Sequence, residues 1–91
     1  MKIVRLVITG MVQGVGYRAW AVRQASALGL RGWVRNRADG SVEVLAGGEV
    51  PRIDAFIAAC RFGPRWSRVR EVKAEPADET LPETFEQRET L

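Results

Sequence analysis

The sequence of 91 residues contains no histidine and only one cysteine, Cys60. The absence of histidine excludes imidazole general bases, phosphohistidine chemistry and histidine metal sites. A single cysteine excludes both an internal disulfide and a cysteine metal cluster. Any general acid–base catalysis or metal binding in this chain must therefore use other side chains or the backbone.

Long apolar runs are also missing, because no stretch approaches the ~20 apolar residues that a membrane span requires. The first residues place Arg5 inside their only apolar stretch and offer no small-residue cleavage site, so we do not expect a signal peptide. The remaining composition is typical of a globular protein. We expect one domain over residues 1–91, located in the cytoplasm and not bound to a membrane.

Acidic side chains are absent from residues 1–38, which carry seven basic residues; the first carboxylate is Asp39. Residues 71–91 reverse this balance, with seven carboxylates and two basic side chains. The charge pattern has two interpretations: the first part of the chain presents a positive field that suits an anionic ligand, or it is an ordinary solvated surface whose asymmetry arose by chance. Magnesium sites need carboxylates, so we expect no metal, and we expect no cofactor.

The apolar pattern predicts five strands and two helices. Strands are expected at residues 2–9, 31–37, 41–46, 67–75 and 84–88, with Gly47-Gly48 ending the third. The first helix carries the apolar stripe Tyr17, Ala21, Ala25 and Leu28 and ends at Gly29; the second carries Val50, Ile53, Phe56, Ile57 and Cys60, with Pro51 in its first turn. Trp33, Phe56, Phe62 and Phe85 are expected to pack in the core or at its edge.

The order of these elements is βαββαβ plus a short C-terminal strand. This order predicts an α+β fold, the ferredoxin-like split βαβ sandwich, with two helices on one face of an antiparallel sheet. Many unrelated functions occur on that fold, so the function must come from particular residues.

Residues 10–18, GMVQGVGYR, lead from the first strand into the first helix without any helix-capping side chain. The first backbone N–H groups of a helix lack partners, and the glycines allow a tight, partly left-handed backbone. Such amides, at the positive end of the helix dipole, can surround a phosphate. The candidate phosphate-binding amides are those of Gln13, Gly14, Val15, Gly16, Tyr17 and Arg18.

Arg18 falls in the first helical turn, where a cation is unfavourable by about 0.3 to 1 kcal/mol. A bound anion would reverse that sign, and the planar guanidinium can hold two phosphate oxygens. The alternative is an ordinary glycine-rich connection followed by a solvated arginine. Other phosphate loops do not fit: the Gly-Lys-Ser/Thr of a Walker A loop, the acid of a dinucleotide site and the Cys-x5-Arg of a cysteine phosphatase are all missing.

Residues 10–18 resemble the first signature of the acylphosphatase family, Gly-x-Val-Gln-Gly-Val-x-aromatic-Arg. Residues 29–36, GLRGWVRN, with the following DGSVE at 39–43, resemble the second signature, Gly-x-Val-x-Asn and its Asp-Gly hairpin. Gly63-Pro64 and Val69 also match, so the resemblance covers essentially the whole chain. Met11, Arg65-Trp66 and Gln87 depart from the family pattern, the last in place of an aliphatic residue.

The resemblance implies hydrolysis of the carboxyl–phosphate bond of small-molecule acyl phosphates by direct in-line attack of water. It implies that Arg18 and the loop amides hold the phosphoryl group and that Asn36 orients the water. The chemistry agrees, because phosphoryl transfer needs positioning and charge stabilisation, and a leaving carboxylate of pKa about 4 needs no general acid.

Asn36 has a local alternative, because an asparagine before a hairpin turn commonly bonds the turn itself. For the whole chain, one rival is a ferredoxin-like RNA-binding module, although Arg31-Gly32-Trp33 lacks the rest of a base-stacking signature. Another rival is a non-catalytic anion-binding domain, or a standalone relative of the acylphosphatase-like module in carbamoyl-transferring maturation proteins. We expect a monomeric enzyme that does not bind nucleic acid.

Overall fold

A computed structural model describes residues 1–90 of the chain. Its elements are, in order, β1 (Lys2–Met11), α1 (Tyr17–Ala27), β2 (Arg31–Asn36), β3 (Val42–Gly48), α2 (Val50–Phe62), β4 (Arg68–Pro76) and β5 (Phe85–Gln87). The strands form one sheet in the order β4-β1-β3-β2-β5. This is the predicted α+β, ferredoxin-like fold.

The main core lies between the two helices and one face of the sheet. Alternate side chains of the central strands point to this face and are fully buried, as are the predicted stripe residues Tyr17, Ala21, Ala25, Ile53, Phe56 and Cys60. Burying a large apolar side chain contributes about 1.5 to 3 kcal/mol. The core therefore fixes the start of α1 against the sheet, where residues 13–18, the candidate phosphate-binding loop (called the phosphate loop below), end.

The sheet is mixed, whereas the sequence predicted an antiparallel sheet. The four longer strands pair antiparallel, but β5 pairs parallel with β2. The chain between β4 and β5 crosses the sheet face remote from the helices, where Leu81 packs with Trp33 and Leu45. Crossing that face brings β5 to the far edge of the sheet in the direction of β2.

Strand β3 continues through Gly47 and Gly48, which were predicted to end it. Gly47 pairs with Ile3 of β1 and Arg31 of β2. A Cβ atom at position 47 would overlap the side chain of Leu81. The missing side chain therefore makes room for the crossing segment and does not interrupt the strand.

Strand β1 extends two residues beyond its predicted end at Thr9. Gly10, with φ of 118°, lies where the register with β4 shifts, and a Cβ atom there would collide with the backbone of Arg68 and Arg70. Gly10 is required by this bulge, so the phosphate loop begins later than the glycine pattern suggested.

The predicted helices are confirmed with two exceptions among their apolar residues. Phe62, at the end of α2, is 82% exposed, and Val50, at its start, is 48% exposed. Both were expected to pack, and both are exposed to solvent instead. Within residues 1–90, no helix is long and apolar enough to cross a membrane.

Candidate active site

Helix α1 begins without a capping side chain, as the sequence predicted. Its N-cap residue is Gly16, with φ of 78°, and Gly14 has φ of 74°. Both values lie in the left-handed region, which costs other residues about 1 to 2 kcal/mol. A Cβ atom at either position would meet nothing within 4 Å, so these glycines are required by backbone conformation and not by lack of space.

The backbone amides of the six residues from Gln13 to Arg18 donate to no acceptor within residues 1–90. The helix has no acidic residue in its first turn. Unpaired N–H groups at this end of a helix carry a partial positive charge. The start of α1 therefore carries a set of unpaired donors that can bind an anion.

A pocket of about 150 Å³ opens beside these amides. It is lined by Val12, Gly14, Gly16, Tyr17, Arg18, Ala19, Asn36 and Gln87. A water molecule occupies about 30 Å³ in the liquid, so the pocket holds roughly five water-sized groups. That size suits a phosphoryl group and an attacking water, with the rest of a substrate extending outside.

The pocket brings together Arg18 and Asn36, which are 18 residues apart in sequence. Three of the predicted amide residues, Gly14, Gly16 and Tyr17, line it as well. Gln13 and Val15 do not line the pocket: Val15 packs against the main core, and the side chain of Gln13 bonds to the β2–β3 hairpin.

Arg18 is half-buried in the first turn of α1 and forms no salt bridge within residues 1–90. Its Nη1 donates to the carbonyl oxygen of Arg88, 3.3 Å away. This contact holds the side chain against the end of β5 without neutralising its charge. The guanidinium therefore retains donors and a full positive charge for an anion in the pocket.

Asn36 is the last residue of β2, and its side-chain amide has no hydrogen bond within residues 1–90. The adjacent turn is bonded by Asp39, whose Oδ1 accepts from the backbone N–H of Ser41 at 2.9 Å and from its hydroxyl at 2.6 Å. These bonds also lower the pKa of Asp39. The local turn does not use Asn36, which favours a role in the pocket over the local alternative.

Gln13 connects the phosphate loop to the hairpin that follows Asn36. Its side-chain nitrogen donates to the carbonyl oxygens of Arg37 at 2.8 Å and Ser41 at 2.9 Å. Sequence reasoning assigned Gln13 only a backbone amide role and missed this contact. The glutamine in an otherwise apolar and glycine-rich loop was the available signal.

Tyr17 anchors the first turn of α1 to the second helix. Its hydroxyl donates to the carbonyl oxygen of Cys60 at 2.7 Å, and its ring packs edge-on against Trp20 at 5.2 Å. Burial raises the pKa of Tyr17 far above its ordinary value. Burial likewise raises the pKa of the Cys60 thiol to about 12, so this thiol is not a nucleophile near neutral pH.

A larger and more open depression, of about 630 Å³, runs along β1 and β4. It is lined by Thr9, Gly10, Met11, Asp39, Gly40, Ser41, Arg68, Val69 and Arg70. It contains neither Arg18 nor Asn36 and none of the unpaired loop amides. Its size alone gives no chemical function, and the smaller pocket is the candidate active site.

Residues 1–90 contain no group of three or more histidine, cysteine or acidic side chains that could hold a metal ion. The donors around the pocket are amides and a guanidinium. The backbone N–H groups and the guanidinium are donors that bind anions. The arrangement can hold a phosphoryl group and orient a water molecule beside it.

Known acylphosphatases are similar to this chain in sequence and structure. The family model described as Acylphosphatase matches residues 4–87. An acylphosphatase of Rhizorhabdus wittichii is 48% identical over 87 residues, covering 96% of this chain and 88% of the relative. One from Rhodospirillum rubrum is 45% identical over 91 residues, covering all of both chains. The crystal structure of acylphosphatase from Bacillus subtilis superposes with a TM-score of 0.91 at 32% identity, covering 97% of this chain and 99% of that one.

Proposed function

The chain belongs to the acylphosphatase family and hydrolyses acyl phosphates, and we propose that Arg18, Asn36 and the amides from Gln13 to Arg18 carry out this reaction. One observation carries the proposal. A guanidinium without a carboxylate partner, a set of unpaired amides and an unbonded carboxamide meet around one small pocket. Together they supply what phosphoryl transfer requires, which is positioning and charge stabilisation.

The phosphoryl group of the substrate binds at the start of α1. The loop amides donate to its oxygens, and the guanidinium of Arg18 donates two parallel hydrogen bonds from its planar fork. The helix dipole adds attraction for the dianion. Negative charge that spreads over the equatorial oxygens in the transition state meets the same donors, so binding and rate both depend on them.

Asn36 orients the attacking water. Its side-chain oxygen accepts a hydrogen bond from the water, whose oxygen attacks phosphorus on the side opposite the acyl group. As the new P–O bond forms, the bond between phosphorus and the carboxyl oxygen breaks. The carboxylate leaves with the bonding electron pair, and the proton lost by the water remains on the inorganic phosphate.

Neither a general acid nor a metal is needed for this step. The leaving group is a carboxylate whose conjugate acid has a pKa of about 4, so it departs unprotonated at neutral pH. The developing charge is met by the guanidinium and the amides. We therefore propose that the enzyme works without metal or cofactor.

The RNA-binding alternative lacks its stacking platform. In an RNA-binding sheet of this fold the aromatic side chains are exposed and stack on bases. Trp33, the aromatic residue on the open face of the central strands, is 5% exposed, packs with Leu81 and lies beneath the guanidinium of Arg35. This aromatic ring is therefore covered by the protein's own side chains and is not available to stack on a base.

We further propose that residues 1–91 form one domain that acts as a monomer in the cytoplasm, without nucleic acid. The single cysteine is a free, buried thiol, as is usual where the surroundings are reducing. Sedimentation equilibrium would detect a stable dimer and so contradict the monomer.

The proposed function is tested by comparing two phosphate compounds in EDTA. Benzoyl phosphate has a carboxylate leaving group, whereas p-nitrophenyl phosphate has a phenolate one. We expect benzoyl phosphate to be hydrolysed as fast in EDTA as without it, and p-nitrophenyl phosphate to be hydrolysed little. Equal hydrolysis of both, or loss of activity on chelation, would contradict the metal-free mechanism.

A further inference from the structure

Strand β5 places Gln87 beside the candidate active site. The strand pairs parallel with β2, and Gln87 lies opposite Val34 in the register. The backbone N–H of Arg88 donates to the carbonyl oxygen of Val34 at 2.8 Å, which fixes this register at the end of the strand. Gln87 therefore lies on the strand next to β2, and β2 ends at Asn36.

The side chains of Gln87 and Asn36 lie on the same face of the sheet. Side chains alternate along a strand, and Phe85 and Val34 both belong to the core beneath the helices. Gln87 is two residues beyond Phe85, and Asn36 is two residues beyond Val34. Both polar side chains consequently follow a core residue on the helix side, and both line the pocket of about 150 Å³.

The neighbours of Gln87 account for the packing of β5 without it. Phe85 packs edge-on against Phe56, with ring centroids 5.8 Å apart, and the guanidinium of Arg88 lies 5.2 Å from the ring centroid of Trp33. The side-chain amide of Gln87 forms no hydrogen bond within residues 1–90 and is exposed at the pocket. The strand is held in place while this amide stays free.

The end of β5 also contacts the guanidinium assigned to the phosphoryl group. The carbonyl oxygen of Arg88, the residue after Gln87, accepts from Nη1 of Arg18 at 3.3 Å. A group bound by Arg18 in this pocket is therefore also next to Gln87. A carboxamide can donate N–H to a phosphate oxygen, and such a bond to a charged acceptor is stronger than one between neutral groups.

We infer that Gln87 is a further substrate-binding residue, whose side-chain N–H donates to an oxygen of the phosphoryl group. This inference rests on the proposed function, since it uses the same phosphate site. Gln87 supplies a donor from the sheet edge, opposite the loop amides. It donates equally to the phosphoryl group of substrate, transition state and product, so it acts on affinity and not on kcat, whereas Asn36 acts on the water.

The test compares two variants of Gln87 with the same changes at Gln24, a glutamine of α1 outside the pocket. Gln87→Leu removes the donor and keeps the bulk; Gln87→Glu keeps the shape but replaces the donor with a negative charge. Affinity for inorganic phosphate is measured by titration calorimetry, which needs no turnover. KM and kcat for benzoyl phosphate and the Tm of each variant are measured alongside.

We expect Gln87→Leu to weaken phosphate binding and raise KM by about tenfold, the effect of one hydrogen bond to a charged group, with little change in kcat. Gln87→Glu should weaken binding further, and its affinity relative to the native protein should recover as pH falls through the glutamate pKa of about 4.3. Gln24→Leu and Gln24→Glu should leave both constants unchanged. The pH recovery is a readout that a purely structural role would not produce.

Unchanged phosphate affinity in Gln87→Leu would overturn the inference. So would a fall in Tm and kcat with affinity intact, because that result assigns Gln87 to folding. If Arg18→Lys abolishes hydrolysis while both Gln87 variants behave as the native protein, the proposed function stands and the inference fails. If the native protein binds phosphate but does not hydrolyse benzoyl phosphate, calorimetry still decides the role of Gln87 and the proposed function alone fails.

Discussion

The side-chain nitrogen of Gln13 donates to the carbonyl oxygen of Ser41, 2.9 Å away and 28 residues later in the chain. With its second bond, to the carbonyl oxygen of Arg37, it joins the phosphate loop to the hairpin that follows Asn36. The two halves of the candidate active site, the loop and the end of β2, are therefore linked directly by one carboxamide, in addition to the pairing of the strands.

Gln13→Glu should weaken both the fold and the enzyme. A carboxylate has no donor and would face two carbonyl oxygens, so we expect the free energy of unfolding to fall by about 1 to 3 kcal/mol. Because the loop would lose its attachment near Asn36, kcat/KM should fall as well. Urea denaturation and initial rates measure the two effects, with Gln24→Glu as the control. A variant as stable and as active as the native protein would contradict this role.

Arg18→Lys should lose most of the hydrolytic activity although the charge is kept. Lysine cannot donate two parallel hydrogen bonds to the phosphoryl oxygens, so kcat/KM for benzoyl phosphate should fall by about a hundredfold or more. Arg23→Lys is the matched control, because Arg23 is an exposed arginine of the same helix outside the pocket. Comparable turnover in the two variants would refute the assignment of Arg18.

Asn36→Ala should lower kcat more than it changes KM. The side chain acts on the attacking water, so its loss raises the barrier and leaves phosphoryl binding in place. Since the amide forms no hydrogen bond within residues 1–90, Tm should change little. Steady-state kinetics and a thermal melt are sufficient. A rise in KM alone would show that Asn36 binds substrate and does not position water.

Ionisation of the Cys60 thiol should make the free energy of unfolding depend on pH. Burial raises its pKa from the ordinary value of 9.0 to about 12, so the thiol ionises in the unfolded chain at lower pH than in the folded one. The free energy of unfolding should therefore decrease as pH rises from about 9 to about 12. The raised pKa of Tyr17 acts in the same direction. Denaturation curves across this range would show the slope.

At pH 8, iodoacetamide should modify Cys60 slowly in the native protein and quickly in urea. Saturating inorganic phosphate should slow the native reaction further, because a ligand that binds only the folded state stabilises it. In Arg18→Lys, phosphate should give little protection. Equal rates in the native and unfolded protein would mean that Cys60 is not shielded.

The parts of the fold that could be predicted are those that leave a local chemical pattern. The stripe from Tyr17 to Ala25, Pro51 at the start of α2 and the Asp39-Gly40 turn each follow from short-range conformational preferences. The uncapped phosphate loop could be read for the same reason, since Gly14 and Gly16 adopt the left-handed conformations that other residues avoid.

The features that the sequence did not reveal depend on contacts between distant segments. A glycine in a strand can mark either the end of the strand or a close contact with another segment. Gly47 was interpreted as the end of β3, whereas it allows Leu81 to pack closely against the strand. The direction of β5 is set by a crossing over the open face, which no local pattern encodes. In the sequence Gln87 was notable only as a departure from the aliphatic residue of the family pattern, whereas the structure places it in the pocket.

The parallel pairing of β5 also affects when the enzyme can begin to work. Arg18 leaves the ribosome early, whereas Arg88, whose carbonyl it contacts, is synthesised about seventy residues later. A nascent chain in which both helices and the first four strands have folded would still lack β5, the strand that borders the pocket beside the guanidinium. Full affinity for the substrate should thus be reached only after the last strand docks, and cleavage that removes this strand should weaken substrate binding while leaving most of the sheet in place.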